Sequence, residues 1–333
     1  MLLVGFRGYT LDDNNPIVED LQKDMVGGII LFDYDVVLKK HERNISSPEQ
    51  LKKLMGQVYD NLQMPTFLSI DQEGGTVNRL KPEYGFPESY SHKELGEKND
   101  LNHTKDHGAH IARILKEYGL NMNFAPCVDL GINKENKAIY GRNRTFSEDP
   151  EVVTAHAKAY IEGHRSEGVL TTLKHFPGHG SSLADTHLGM ADVTETWSPE
   201  EMIPYEKLIQ QDMCDMIMTT HIFNGQLDSA YPATLSASIM QGVLRKEFKY
   251  DGVIISDDLQ MQAITDYFGL EKVVELALLA GIDILAFGNN LAYEPDVVTR
   301  SISIIKELMD AGTIEESQID TSVTRILELK KRL

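Results

Sequence analysis

Short, continuously apolar runs alternate along this chain with longer stretches whose apolar residues recur at helical spacing. The runs are Leu2–Phe6, Gly28–Phe32, Thr66–Ile70, Met122–Ala125, Val169–Leu173, Met216–Thr219, Val253–Ser256 and Ile284–Phe287. Runs of this kind are what strands need when both faces are buried in a parallel sheet. Between them, Ser47-Pro48-Glu49-Gln50 and Ser198-Pro199-Glu200-Glu201 each read as a capped helix start with a capping-box residue, and Asp149-Pro150 opens another helix. Two helical stretches, 295–311 and 316–331, end the chain, the second with Ile319, Val323 and Ile326 on one face. Eight strand–helix alternations predict an α/β fold, a (β/α)8 TIM-type barrel over residues 1–333 as a single catalytic domain, with some irregularity in its early strands. An open doubly wound sheet would carry a glycine-rich phosphate turn after its first strand, and Gly5-Phe6-Arg7-Gly8 is no match.

Barrel chemistry sits just after the strands. Asp71-Gln72-Glu73-Gly74-Gly75 follows the third strand, the run from Lys174 to Gly180 the fifth, His221 the sixth and Ser256-Asp257-Asp258 the seventh. Strand alternation lets only one of Asp257 and Asp258 face the axis. A carboxylate there can be a nucleophile, a metal ligand or a helix cap. One of Ser256, Asp257 and Asp258 is expected to cap the next helix, which would hold Leu259 and Met261.

The stretch from Lys174 to His187 gathers three histidines, a lysine and an aspartate. In Asp185-Thr186-His187 a carboxylate stands beside an imidazole, which favours imidazolium and orients the ring. An imidazole titrating near neutrality suits proton transfer in both directions. Lys174 and His175, coming directly off the fifth strand, are expected to donate to substrate hydroxyls, and Asp71 to bind vicinal hydroxyls with Arg79 nearby. Gly74 and Gly75 allow close backbone approach or positive φ. Thr145-Phe146 can anchor Arg144 inward, whereas Arg142 is expected at the surface. Zinc on His175, His179 and His187 is the alternative for this loop, but the first two have the spacing of ligands on a helix, and Pro177 and Gly178 argue against one.

The formal net charge is -19, which disfavours phosphate backbones, anionic lipid and polyanionic substrates. No apolar run is long enough to span a membrane. Cys127 and Cys214, both in apolar surroundings, read as buried free thiols. No signal peptide is visible. Because the chain opens almost at once on an apolar strand, further residues upstream in the native protein are an expectation, and cytoplasmic, periplasmic and secreted locations all stay open.

Together these motifs resemble glycoside hydrolase family 3, and within it the single-domain branch of β-N-acetylhexosaminidases. The resemblance runs from Leu3-Val4-Gly5-Phe6 and Gly27–Phe32 through Arg43-Asn44-Ile45, Ile70–Gly75, Phe124-Ala125-Pro126, Val128-Asp129 and Arg144–Pro150. It continues to the Lys174–Gly180 loop with Asp185-Thr186-His187, then Pro232–Ser236 and Ser256–Met261. It implies a bacterial enzyme, a monomer or weak homodimer without cofactor or metal, acting on a small carbohydrate, either peptidoglycan fragments or chitin oligosaccharides. By the same resemblance Asp257 is the nucleophile and His187 the acid/base, with Asp185 its partner. Asp71, Arg79, Arg144, Lys174 and His175 then grip the sugar in the −1 subsite. A retaining mechanism through a covalent glycosyl-enzyme follows. Two departures stand out: residues 33–42 are inserted at the mouth, on the leaving-group side, and Thr76 replaces a commoner arginine. Alternatives within the class are phosphate as acceptor and substrate-assisted catalysis. A metal-dependent hydrolase and a non-catalytic sugar binder are the alternatives outside it.

Overall fold

The computed structural model describes residues 1–183 and 189–333. Its strands are β1 Leu2–Gly5, β2 Gly28–Leu31, β3 Phe67–Ile70, β4 Met122–Asn123, β5 Leu170–Phe176, β6 Met216–Thr219, β7 Val253–Ile255 and β8 Leu285–Phe287. They form one parallel sheet in the order β7-β6-β5-β4-β3-β2-β1-β8. The ring closes where Ile255 bridges Ile284 and Ser256 N donates to Ile284 O at 3.0 Å. This is the expected barrel. Its irregularity falls at β4, only two residues long, and at β5, whose register with β6 shifts between Leu173 and Phe176, rather than in the earliest strands.

The helices are α1 Pro16–Gln22, α2 Pro48–Asn61, α3 His92–Lys98, α4 Leu101–Glu117, α5 Pro150–Glu167, α6 Ile203–Gln210, α7 Gln262–Thr265, α8 Leu270–Ala280, α9 Val297–Asp310 and α10 Glu316–Lys330, with a π-helical segment Ser238–Glu247 between β6 and β7. Ser47 caps α2 by accepting from Gln50 N, but the Gln50 side chain reaches back to Ser46 N, one residue short of a true capping box. Before α6 the similar pattern winds as a 3₁₀ turn, Pro199–Met202, capped by Ser198. Glu201 leaves the capping role altogether and turns toward the loop after β5.

Period-two alternation sorts the strand residues into two cores. Leu3, Ile30, Phe67, Leu170, Met216, Val253 and Ile255 fill the barrel, while Val4, Ile29, Leu31, Leu68, Ile70, Leu173, Ile217 and Ile254 face the helices. Ile326 and Leu329 of α10 join the interior cluster, so the last helix plugs one end of the barrel. Lys330 of α10 lies over the Phe67 ring, at the start of β3, which identifies that end as the N-terminal one. The C-terminal mouth is left for chemistry. Helices α4 and α5 approach closely because Gly108 and Gly163 lack side chains; a Cβ at Gly163 would lie 2.2 Å from Lys105 O. That contact seats Tyr160 of α5, whose hydroxyl donates to Gln72 O just beyond β3. No described helix is long and apolar enough to cross a membrane.

Candidate active site

The interior phase of three strands runs on into polar side chains at the mouth. Phe67 faces inward on β3, and two and four positions later come Ser69 and Asp71. Leu170 faces inward on β5, with Thr172 and Lys174 next in phase. Val253 and Ile255 face inward on β7, and Asp257 continues that phase.

The two neighbours of Asp257 are engaged elsewhere. Ser256 Oγ accepts from Ala286 N at 2.9 Å, and Asp258 Oδ1 accepts from Gly288 N and Gln260 N, both at 3.0 Å. These bonds pin the end of β7 to β8. The expected helix cap is therefore absent: α7 begins only at Gln262 behind Met261, which supplies no side-chain cap, and Leu259 and Met261 precede the helix. Asp257 Oδ1 accepts from Asp258 N at 2.8 Å, and the residue is half-buried.

Lys174 and His175 lie inside β5, not beyond it; the strand continues to Phe176, and Val128 N donates to Lys174 O. Lys174 Nζ donates to Asp71 Oδ1 at 2.9 Å and lies 2.7 Å from Glu73 Oε1. Arg144 grips Glu73 bidentately, with Nη2 2.7 Å from Oε1 and Nε 3.0 Å from Oε2. Arg144 Nη2 also lies 3.1 Å from His175 Nε2, which must accept. The His175 hydrogen then sits on Nδ1 and is donated to Asp129 Oδ2 at 2.6 Å. Arg79 reaches Asp71 at 3.4 Å. Its backbone is set by Gln72, whose Oε1 accepts from Arg79 N and Leu80 N.

Asp71, Arg79, Arg144, Lys174 and His175 thus form one network. Two members had no expected role, Glu73 and Asp129. Glu73 shares the phase of Asp71 two residues on, a signal present in the sequence. Asp129 lies in irregular chain beyond the short β4 and gives no such signal. The glycines behave as expected: Gly74 and Gly75 have φ of 104° and 58°, and a Cβ at Gly74 would lie 2.1 Å from Tyr90 O. Arg142 is exposed and Arg144 turned inward. Asp185 and His187 lie outside the described residues.

Opposite charges decide the ionisation here. Burial penalises the Glu73 carboxylate, yet Arg144 and Lys174 outweigh it and hold its pKa well below the usual range. Burial likewise opposes Asp71, and Lys174 and Arg79 bring it down. The Lys174 ammonium is penalised by burial and held up by Asp71 and Glu73. Each charge is matched, so the cluster keeps strong donors and acceptors out of bulk water.

Metal is poorly served among the described residues. Cys127, Asp129 and His175 bring ligand atoms within 4.8 Å of one another. Those atoms are spent on each other, however, with Cys127 Sγ donating to Asp129 Oδ2 at 3.1 Å. Burial and Asp129 push the Cys127 thiol well up, away from the thiolate a metal needs. His175, in a strand, lacks the helical spacing to His179 that zinc would use. Cys127 and Cys214 are free thiols, the first buried and the second half-buried.

The inserted residues 33–42 form a hairpin at the mouth. Asp35 and Lys40 exchange backbone hydrogen bonds, and buried Asp35 pairs with Arg7 and Arg43. Arg43 donates on to Asn289 O beyond β8. Thr76, the other departure, is exposed.

Four buried imidazoles make a testable signature. Burial lowers His92, His107, His164 and His179 to about 4. Between pH 6.5 and 4 the unfolded chain binds protons that these rings refuse, so stability falls as pH falls. Glu201 and Asp20, which burial raises to about 7 and about 6, oppose this. The Met1 amino group, lowered to about 5, and His156, also lowered by burial, act with the four imidazoles, so unfolding takes up at least about two protons, or ~3 kcal/mol lost per pH unit. Urea unfolding at pH 6.5, 5.5 and 4.5 checks the slope; a flat or inverted profile contradicts it.

Comparison with known proteins fits this geometry. Residues 2–329 match the family model described as the N-terminal domain of glycosyl hydrolase family 3. A β-hexosaminidase of Xylella fastidiosa strain M23 is 35% identical over 315 residues, covering 92% of this chain and 87% of the relative. β-Hexosaminidase A of Pseudoalteromonas piscicida is 32% identical across 100% of this chain and 60% of its own. The solved family 3 β-N-acetylglucosaminidase of Paenibacillus sp. FPU-7 superposes with a TM-score of 0.89 at 31% identity, over 99% of this chain and 61% of that one. The chain thus spans most of some relatives and about three fifths of others. With the family model matched almost end to end and its barrel reproduced, the chain belongs to glycosyl hydrolase family 3.

Proposed function

We propose that this family 3 glycosidase is a retaining, exo-acting β-N-acetylglucosaminidase that works as a single catalytic barrel, on peptidoglycan fragments or chitin oligosaccharides. Asp257 attacks the anomeric carbon as the glycosidic bond breaks, and the departing oxygen takes a proton from the His187 imidazolium, oriented by Asp185. Water then gives a proton to neutral His187 and adds to the anomeric carbon as the ester to Asp257 breaks. Asp71, Arg79, Arg144, Lys174 and His175 hold the sugar hydroxyls.

One observation carries the reading: Asp257 continues the inward phase of β7 at the same mouth where Asp71 and Lys174 continue those of β3 and β5. The engagement of Asp258 with Gly288 N and Gln260 N supports direct attack over substrate assistance, which would ask both adjacent carboxylates to face the sugar. The names of the similar proteins, β-hexosaminidases and a β-N-acetylglucosaminidase, support the N-acetyl sugar.

The test is turnover of aryl β-N-acetylglucosaminide, β-glucoside and β-xyloside with chelator present, followed by proton NMR. The expected result is chelator-insensitive release from the first substrate alone, with the β-anomer of free sugar appearing first. Initial α-anomer, or preference for another sugar, contradicts the proposal.

A further inference from the structure

The loop leaving β5 is held from several sides. Trp197 Nε1 donates to Pro177 O at 3.3 Å, Asn136 Nδ2 to His179 O at 2.7 Å, and Asp129 Oδ1 accepts from His179 N at 2.8 Å. The tie from below is Glu201. Its Oε2 accepts from Gly180 N at 2.7 Å and from Ser181 N at 3.2 Å. Glu201 is fully buried, and its Oε1 has no hydrogen-bond partner among the described residues. The loop is shaped to admit this carboxylate: Gly178 has φ of 118°, and a Cβ there would lie 2.5 Å from Glu201 Cβ.

A fully buried carboxylate with one unused oxygen is an expensive way to fasten two amides. Burial, with Asp129 adding, pushes Glu201 up to about 7, against the hydrogen bonds that pull it down. Nothing in the reaction as proposed uses it. The backbone it fastens leads within a few positions to Asp185 and His187.

We infer that Glu201 is a positioning residue: by fixing the backbone at Gly180 and Ser181 it sets the root of the chain segment that delivers the acid/base histidine. This inference rests on the reading of His187 given above. Glu201 touches neither sugar nor reacting atoms, so its removal should cost most where proton delivery limits the rate. Leaving groups differ in that need. A dinitrophenolate departs without a proton, whereas the sugar alkoxide of diacetylchitobiose must receive one.

The experiment compares kcat/KM for a dinitrophenyl β-N-acetylglucosaminide and for diacetylchitobiose in wild type, Glu201→Ala, Glu201→Gln and His187→Ala. His187→Ala should lose far more on chitobiose than on the aryl substrate. Glu201→Ala should show the same selectivity, smaller in size, with at least a tenfold greater loss on chitobiose. Glu201→Gln, whose amide oxygen still accepts both N–H groups, should recover most of it. Equal losses on the two substrates, or none, would overturn the inference and leave Glu201 a fastening of the fold. No selectivity in His187→Ala would instead overturn the acid/base reading itself. Should Glu201→Ala fail to fold, Glu201→Asp, one methylene too short to reach Gly180 N, makes the same comparison with the same two readings.

Discussion

Asp257→Ala should lower kcat on an aryl β-N-acetylglucosaminide by about 10⁴-fold or more, the scale seen when a covalent nucleophile is removed. The fold should survive, because the pins between β7 and β8 belong to Ser256 and Asp258. Azide should restore part of the rate by entering the vacated space and attacking the anomeric carbon, with the phenolate leaving and the α-glycosyl azide as product. Asp258→Ala supplies the contrast. It removes the acceptor for Gly288 N and Gln260 N, so it should lower the melting temperature while gaining nothing from azide. A variant pair with these outcomes exchanged would make Asp258 the nucleophile and contradict the assignment to Asp257.

The second large effect is on stability. Lys174 is nearly fully buried between Asp71 and Glu73, more than 100 residues away in sequence. Lys174→Met keeps most of the side-chain length and deletes the charge. It leaves two neighbouring carboxylates without their shared cation, a loss of about 3–5 kcal/mol for a buried pair. The lower end is expected, because Arg144 still holds Glu73 and Asp71 is partly open to water. Adding Glu73→Gln removes one of the stranded charges and should recover part of the loss, a non-additivity that marks direct coupling. Urea unfolding of the two single variants and the double variant measures it. Strict additivity would show that the Lys174–Glu73 contact carries no coupling.

The barrel was legible because every strand is buried on both faces and mostly apolar, so no solvent face confused the pattern. Alternation in the sequence allowed only one of Asp257 and Asp258 to face the axis, and the family resemblance chose Asp257; in the structure the period of β7 carries to that residue, two positions past the strand. What escaped is long-range. Glu73 was visible as a residue in phase with Asp71, but its work is to balance Lys174 and Arg144, which arrive from β5 and from the chain after β4. Asp129 follows a two-residue strand and an irregular turn, where no periodicity tells which way a side chain points. Glu201 stands in the same local pattern as Gln50, and reads as a capping-box residue. Only the packing of Gly180 and Ser181 above it gives it another partner. The helix expected straight after Asp258 failed for the converse reason: its capping residues found stronger use in closing the barrel against β8.

The most direct check is to trap the enzyme with a slow 5-fluoro derivative of N-acetylglucosaminyl fluoride and digest it with protease. The account requires an added glycosyl mass on the peptide that contains Ser256-Asp257-Asp258, with fragmentation assigning it to Asp257, and no such mass in Asp257→Ala. A covalent sugar on another residue, or turnover without any adduct together with tight inhibition by a thiazoline analogue of the acetamido intermediate, would contradict it.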